Sequence, residues 1–149
     1  HELFGDDVVA IEPHSLHAYA LGLLPRLRVP FPASAGSGFS EFVAERPGPQ
    51  SHQYRYVGLR AGEHAPLGRT APIKGFVLLE RMETGPAILE PVSQGETLAR
   101  LIRKNFATNM PVTRIFDRMK TITGAAQRWR LRYSDGESAI AALRERFGA

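Results

Sequence analysis

The chain lacks cysteine, long apolar runs and a recognisable targeting signal. No cysteine occurs among its 149 residues, which excludes disulfide frameworks and thiolate metal sites. No apolar run approaches the ~20 residues that a membrane-spanning helix needs, and no signal-peptide pattern opens the sequence. We therefore expect a soluble, cytoplasmic protein without a membrane partner.

Several catalytic and ligand-binding motifs are also absent. The phosphate-binding pattern G-x-x-x-x-G-K-[ST] does not occur, and Gly36 and Gly38 are not followed by Lys-Ser or Lys-Thr. The nucleophile pattern G-x-S-x-G is missing as well. The five histidines are not spaced as a metal-ligand set. These absences exclude a self-contained P-loop kinase and an α/β-hydrolase on motif grounds.

The remaining composition is that of an ordinary globular domain. Hydrophobic residues make up 43% and charged residues 23%, which argues against disorder, and the length fits one domain, 1–149. The net charge is +4 and the isoelectric point about 9.8. Because the arginines are spread along the chain, we expect a phosphate-bearing ligand or an acidic partner rather than nucleic acid.

Hydrophobic periodicity predicts an α+β (mixed α/β) fold. The first two thirds are strand-rich, and helices, packed on one side of a sheet, follow toward the C-terminus. A Pro- and Gly-rich stretch, 30–49, predicts a flexible surface excursion with a short helix at 39–44. Ser93 with Glu96 and Pro111 mark two helix starts, and the Ser134-Asp135-Gly136 turn precedes a final helix. Strands are predicted at 8–11, which should be buried, 16–20, 27–29, 53–59, 75–79, 87–89 and 128–133.

An acidic pair, Asp6-Asp7, stands directly before the first predicted strand. Two adjacent carboxylates allow one to hold hydrated Mg²⁺ while the other accepts the proton of a nucleophile. The same two residues also suit a simple turn before a strand. Residue types alone leave both interpretations open.

The segment His1-x-Leu3-x-x-Asp6-Asp7, followed by an apolar strand, resembles the Gly-His-x-Leu-x-x-Asp-Asp segment of HPr kinase/phosphorylase. Gly5-Asp6-Asp7 is likewise similar to a Gly-Asp-Asp of the related phosphoenolpyruvate carboxykinases. The order of later features also resembles HPr-kinase-like proteins, from the strand ending at Pro13 to the Arg-rich strand and terminal helix. The resemblance implies the C-terminal part of a phosphoenolpyruvate-carboxykinase-like kinase fold, incomplete in this chain.

The resemblance implies roles for individual residues. Asp6 is expected to serve Mg²⁺, and Asp7 to act as base toward a seryl hydroxyl. Arg69 resembles an arginine near the transferred phosphoryl group, where a planar guanidinium neutralises charge bidentately. His1 and Lys74 are expected to contact ATP. The alternative interpretation of Arg69 is an exposed loop residue that has no catalytic role.

Two functions follow as expectations. The first is part of an ATP-dependent serine kinase that acts on a protein or peptide, with its P-loop upstream of His1. The second is a non-catalytic peptide- or partner-binding module that uses the Arg-rich strand, Arg128 to Tyr133, and the 30–49 loop. The Arg128, Arg130 and Arg132 face holds an acidic partner in that case and is otherwise a solvated strand face. The resemblance also implies a tendency toward homo-oligomers.

Overall fold

The chain divides into two compact units. The computed structural model describes residues 2–12, 14–32, 35–107 and 110–148. The units are His1–Pro72 and Ile73–Ala149. Within the described ranges there are four helices and three small sheets, so the predicted mixture of α and β structure is confirmed. The single domain expected from chain length stays a prediction.

The first unit is built from very short strands. An antiparallel sheet has the order β1-β2-β5, in which Ala10 lies opposite Tyr19 and Tyr19 lies opposite Thr70. A second, two-stranded sheet pairs β3 with β4. The elements of this unit are β1 (Ala10–Ile11), β2 (His17–Tyr19), β3 (Arg26–Arg28), α1 (Ser37–Ala44), β4 (Tyr54–Tyr56) and β5 (Thr70–Pro72).

The strands predicted at 8–11 and 16–20 are present in shortened form and pair with each other as β1 and β2, and two details of the prediction are wrong. Val8 and Val9 precede the ladder and are 42% and 46% exposed, so this run is not a buried strand. Only two residues pair with β2. No strand was predicted at residues 70–72, yet they form β5 because they pair with β2. That pairing is long-range and leaves no local periodicity in the sequence.

The 30–49 segment contributes to the interior of the first unit. It contains α1, as predicted, and Val43 on this helix is fully buried. Arg46 follows the helix and is only 8% exposed. Arg55 on β4 donates a hydrogen bond to the Val43 carbonyl at 2.7 Å, which ties the helix to the β3–β4 ribbon. The flexibility expected of this segment stays a prediction.

The second unit has longer strands and three helices. Its sheet has the order β6-β8-β7, with β8 parallel to β6 and antiparallel to β7. Leu131, in the central strand, is 1% exposed. The elements are β6 (Gly75–Arg81), β7 (Ile88–Pro91), α2 (Gln94–Arg103), α3 (Val112–Ala125), β8 (Gln127–Tyr133) and α4 (Gly136–Phe147).

Helices contact both faces of this sheet. Phe147 of α4 meets Trp129 edge-to-face with ring centroids 6.3 Å apart. Glu96 of α2 forms an ion pair with Arg130, the next residue along β8. Successive side chains of a strand point to opposite faces. The prediction that the helices pack on one side of the sheet is therefore wrong at β8, because side chains of α4 and α2 contact opposite faces of this strand.

The predicted helix starts in the second unit are confirmed. The Ser93 hydroxyl accepts a hydrogen bond from the Glu96 N–H, and Asp135 accepts one from the Ser138 N–H. Pro111 precedes α3, where its missing N–H costs nothing. Across the part of the chain that the structure describes, none of the helices combines the length and hydrophobicity that a bilayer span requires.

Candidate functional site

The acidic pair lies in a tight bend before β1. A Cβ added at Gly5 would stand 2.4 Å from the Val8 carbonyl oxygen, so the bend requires glycine at this position. Asp6 and Asp7 follow, and both are exposed, with 71% of the Asp7 side chain accessible. The Gly5-Asp6-Asp7 sequence thus presents two adjacent carboxylates at the surface because the chain turns sharply beneath them.

Arg26 orients both carboxylates. Its backbone N–H donates to Asp6 Oδ2 at 2.8 Å, and its Nη2 lies 3.1 Å from Asp7 Oδ2. The hydrogen bond that the Arg26 guanidinium donates to Asp7 raises the pKa of Arg26. The same guanidinium stacks over the Tyr54 ring, 4.5 Å from the centroid. One residue therefore fixes one oxygen of each aspartate, through its main chain for Asp6 and its side chain for Asp7.

The second oxygen of each aspartate remains accessible for chemistry. Among the described residues, no hydrogen bond reaches Oδ1 of Asp6 or Asp7. Mg²⁺ in phosphoryl-transfer sites is commonly held by one or two carboxylates together with waters and substrate phosphates. The pair therefore fits a Mg²⁺ ion of that kind. No group of three or more His, Cys, Asp or Glu suited to a metal occurs within the described ranges.

Arg69 is engaged elsewhere in the first unit. Its Nη1 lies 2.8 Å from Glu2 Oε1, and 52% of its side chain is exposed. Its carbonyl accepts from the Ala20 N–H at 2.9 Å, after a turn in which Gly68 has φ +90°. The structure does not bring its guanidinium into an ion pair with Asp6 or Asp7 within the described residues.

The other two predicted site residues are not joined to the pair. Lys74 belongs to the second unit, where it is exposed and its carbonyl accepts from the Gln127 N–H at 3.0 Å. His1 lies outside the described residues. Of the residues predicted for the site, the structure therefore brings together Asp6 and Asp7.

Arg26 is the site residue that sequence reasoning missed. The sequence places it 19 positions after Asp7, so the contact is long-range. The available signal was the two-residue spacing of Arg26 and Arg28, of which only Arg28 lies on the predicted strand 27–29; in a strand that began at Arg26, both side chains would point to one face. Nothing in the sequence indicated that this strand passes beside the acidic bend.

A second feature of the first unit is an apolar groove of about 480 Å³. The helix α1 supplies Phe39, Phe42 and Val43 to its wall, and β3 supplies Leu27. Phe39 and Phe42 remain 40% and 41% exposed. The carboxylates of the lining belong to Glu2 and Glu63. The groove is suited to an apolar side chain or a small hydrophobic ligand.

Glu63, one of the residues that line this groove, forms an ion pair with Arg46. Arg46 donates from Nε to Glu63 Oε2 at 3.0 Å, and its guanidinium stacks on the Phe42 ring at 3.7 Å. The Arg60 N–H also donates to Glu63, at 2.8 Å. These interactions, foremost the hydrogen bond from Arg46, lower the pKa of Glu63 to about 2. Glu63 is therefore a structural anion, already occupied by two donors.

The Arg-rich strand of the second unit is neutralised internally. Arg130 lies 3.4 Å from Glu80 and 3.2 Å from Glu90, and it also pairs with Glu96. Arg132 lies 3.7 Å from Glu80. Arg128 donates to the carbonyls of Thr123 and Ala126. This face is thus a half-buried network within one unit and not a solvated basic strip.

Comparison of the chain with protein-family models, with curated proteins and with solved structures gave no match in any of the three. The resemblance to HPr kinase/phosphorylase therefore depends on the quoted residues, above all on Gly5-Asp6-Asp7. Any proposal about function must therefore be argued from the chemistry of these residues.

Proposed function

We propose that the chain is part of an ATP-dependent serine kinase acting on a protein or peptide. The observation that supports this best is the exposed Asp6-Asp7 pair, in which Arg26 holds one oxygen of each carboxylate. A metal-and-base pair needs two carboxylates that are close together, ordered and accessible. The phosphate-binding loop is expected in residues preceding His1, in keeping with a phosphoenolpyruvate-carboxykinase-like fold, and the protein is expected in the cytoplasm.

Asp7 is the proposed base. It accepts the proton of the serine hydroxyl as the serine oxygen bonds to the γ-phosphorus and the bond to the β-phosphate oxygen breaks, giving ADP. Asp6 is the proposed ligand of Mg²⁺. Mg·ATP supplies the phosphoryl group and the positive charge that offsets the charge of the leaving phosphate. Arg26 has a positioning part, since it contacts both aspartates at 2.8 and 3.1 Å.

Arg69 is the proposed phosphate-binding cation of the first unit, and the ATP contacts expected of Lys74 and His1 stay predictions. Arg69 has 52% of its side chain exposed, so its guanidinium is accessible to a phosphoryl oxygen beside its Glu2 contact. An arginine of this kind neutralises charge on the transferred group. Lys74 is exposed at the start of the second unit.

The first test is calorimetric titration of the full-length protein with ATP, with and without Mg²⁺. We expect Mg²⁺-dependent binding that weakens at least about tenfold in Asp6→Asn, since a carboxylate ligand is lost. Asp117→Asn is the matched control, because Asp117 is an exposed aspartate on α3 in the other unit. If no binding is detected at millimolar ATP, the proposed kinase function is contradicted.

The second test is phosphoryl transfer to serine peptides. We expect Asp7→Asn to lower kcat by about 10²-fold or more, as loss of a general base does. The variant should retain the wild-type circular dichroism spectrum, because Asp7 is exposed and, among the described residues, its side chain pairs with Arg26 alone. Near-normal turnover in Asp7→Asn contradicts the assignment of the base.

The apolar groove supports a second candidate, a non-catalytic peptide-binding module. The 30–49 segment supplies Phe39, Phe42 and Val43 to the groove, in line with the expected use of this segment for recognition. The Arg-rich strand does not favour this candidate, because Arg130 already pairs with three glutamates. Peptide binding that Phe42→Ala abolishes, in a protein that binds no ATP, would favour the module.

A further inference from the structure

One face of the β3–β4 ribbon combines arginine and tyrosine side chains. The antiparallel register places Arg26 opposite Tyr56 and Arg28 opposite Tyr54. Directly opposed residues share a face, so all four side chains stand on the same side of the ribbon. The stacking of Arg26 over Tyr54 agrees with this placement. We call Arg26, Arg28, Tyr54 and Tyr56 the Arg/Tyr face.

The helix α1 covers the opposite face and leaves the Arg/Tyr face open. Leu27 lines the apolar groove together with residues of α1, and Arg55 donates to the Val43 carbonyl. Leu27 and Arg55 are the opposed pair that points away from the Arg/Tyr face. Arg28 is exposed and Tyr56 is 37% exposed. Within the described part of this unit, two basic and two aromatic side chains thus line a surface that α1 does not cover.

Arg28 is the cation of this face that is available to a ligand. Arg26 is already paired with Asp7 at 3.1 Å, whereas Arg28 has no ion pair or side-chain hydrogen bond within the described residues. An exposed guanidinium beside an aromatic ring is suited to a carboxylate or another anion. Arg28 therefore supplies the charge complementarity, and Tyr56 supplies an apolar surface next to it.

The open edge of β3 indicates the shape of the ligand. The Val29 N–H bonds to the Gln53 carbonyl and the Val57 N–H to the Pro25 carbonyl. The alternation of an antiparallel ladder then directs the backbone groups of Arg26 and Arg28 away from β4. The Arg26 N–H meets Asp6 at this edge. A further extended segment suits such an edge through main-chain hydrogen bonds.

The acidic pair discriminates between anionic ligands. A nucleic acid strand has a phosphate at every nucleotide, and phosphates beside Arg26 would approach Asp6 and Asp7. A peptide instead allows one neutral hydroxyl at Asp7 and one carboxylate at Arg28. Arg26 and Arg28 are two residues apart on β3, which corresponds to about 7 Å in an extended strand. The same spacing in a peptide separates a serine from an acidic residue two positions away.

We infer that the Arg/Tyr face binds the acceptor as an extended acidic peptide, with a carboxylate two residues from the serine. The choice of a serine rests on the proposed function. The recognition of the carboxylate does not, since it depends on Arg28, Tyr56 and the open edge of β3. The inference therefore names the class of acceptor and the residue that selects it.

The test is fluorescence anisotropy without nucleotide. The probe is a labelled nine-residue alanine peptide with a central serine and a glutamate two residues to each side. A second peptide has glutamine in place of both glutamates, and a nine-nucleotide oligothymidylate is the third probe. We expect the glutamate peptide to bind about threefold or more tightly than the glutamine peptide, as one exposed ion pair allows.

Variants locate the effect. Arg28→Gln should abolish the preference for glutamate, and Arg28→Lys should retain part of it. Arg103→Gln, an equal change of charge on exposed α2, should leave the preference unchanged. Equal binding of both peptides to the unmodified chain overturns the inference, and so does tighter binding of the oligothymidylate.

The outcome is independent of the kinase. If the protein prefers the glutamate peptide through Arg28 but transfers no phosphate, the peptide-binding surface is supported and the proposed kinase function is contradicted. If the protein transfers phosphate with the same KM for both peptides, the kinase function is supported and the proposed peptide-binding surface is contradicted. If both hold, Arg28→Gln should raise KM for the glutamate peptide by about threefold with little change in kcat.

Discussion

The two units of the chain bury their apolar side chains in different ways, because their strands differ in length. Strands of the first unit, residues 1–72, are two or three residues long, whereas those of the second are four to seven. A long strand presents several side chains to one face and can bury Leu131 in a continuous layer. A two-residue strand cannot, so the first unit buries isolated side chains such as Val43 beneath loops and one short helix.

Their ion pairs differ in the same way. In the second unit three glutamates converge on one arginine, Arg130, at the centre of the sheet. In the first unit each pair joins two separate segments: Arg26 of β3 with Asp7, and Arg46, which follows α1, with Glu63. Loops held by a few polar contacts can present chemical groups at the surface, whereas regular sheets provide rigidity. The candidate site and the Arg/Tyr face accordingly both belong to the first unit.

Of the changes that test this difference between the units, truncation of Leu131 should cause the largest loss of stability. Leu131→Ala removes a side chain that is 1% exposed from the central strand, and we expect a loss of about 2–5 kcal/mol in the free energy of unfolding of the second unit. Trp129 is the one tryptophan of the sequence and lies on the same strand. Urea unfolding followed by its fluorescence reports on this unit.

Leu79→Ala is the matched control for that experiment. Leu79 lies directly opposite Leu131 on β6 and is 60% exposed. The same truncation should therefore cost clearly less at this position. Equal losses at both positions would show that burial in this sheet does not determine its stability.

Low pH should destabilise the first unit by protonating Glu63, which breaks its ion pair with Arg46. The pKa of Glu63 is lowered to about 2 from an ordinary value of 4.5. A lowered folded-state pKa stabilises the unit above the unfolded-state value, and this contribution is lost as the pH falls from about 4.5 toward 2. We expect the thermal midpoint of residues 1–72, followed by amide NMR signals, to be steady from pH 7 to 5 and to fall in that window.

Glu63→Gln isolates this contribution from the other carboxylates. The variant should start from a lower midpoint at pH 7, by several degrees, and fall less between pH 4.5 and 2. Glu45→Gln is the control, because Glu45 lies 3.6 Å from Arg46 and 63% of its side chain is exposed. Parallel pH curves for wild type and Glu63→Gln contradict the assigned role of this ion pair.

The second unit was the more predictable from sequence. Ser93, Pro111 and Asp135 marked its helix starts, and the alternation at 128–133 marked β8, because these are local signals. The two-sided packing of helices on β8 was not predictable locally. It depends on Glu96 reaching Arg130, a pair 34 positions apart.

The first unit was less predictable for the same reason. β5 depends on pairing with β2 and has no periodic pattern of its own, and the same pairing limits β1 to two of the four residues predicted for it. The acidic pair was evident from Gly5-Asp6-Asp7, but its partner Arg26 was not. Arg69, predicted for the same site, pairs with Glu2, and no sequence pattern distinguishes one arginine from the other.

The smallest expected effect concerns the helix caps. The Ser93 hydroxyl accepts from the Glu96 N–H at 3.2 Å, whereas α1 begins after Gly36, which forms no side-chain cap. Ser93→Ala should therefore destabilise the second unit by about 1 kcal/mol, since one N–H of the first turn loses its acceptor. Urea unfolding followed by Trp129 fluorescence measures this loss. Ser37→Ala, at the first residue of α1, removes no cap and should change the free energy of unfolding of the first unit by less than about 0.5 kcal/mol. A loss at Ser37 as large as that at Ser93 would mean that capping does not distinguish the helices of the two units.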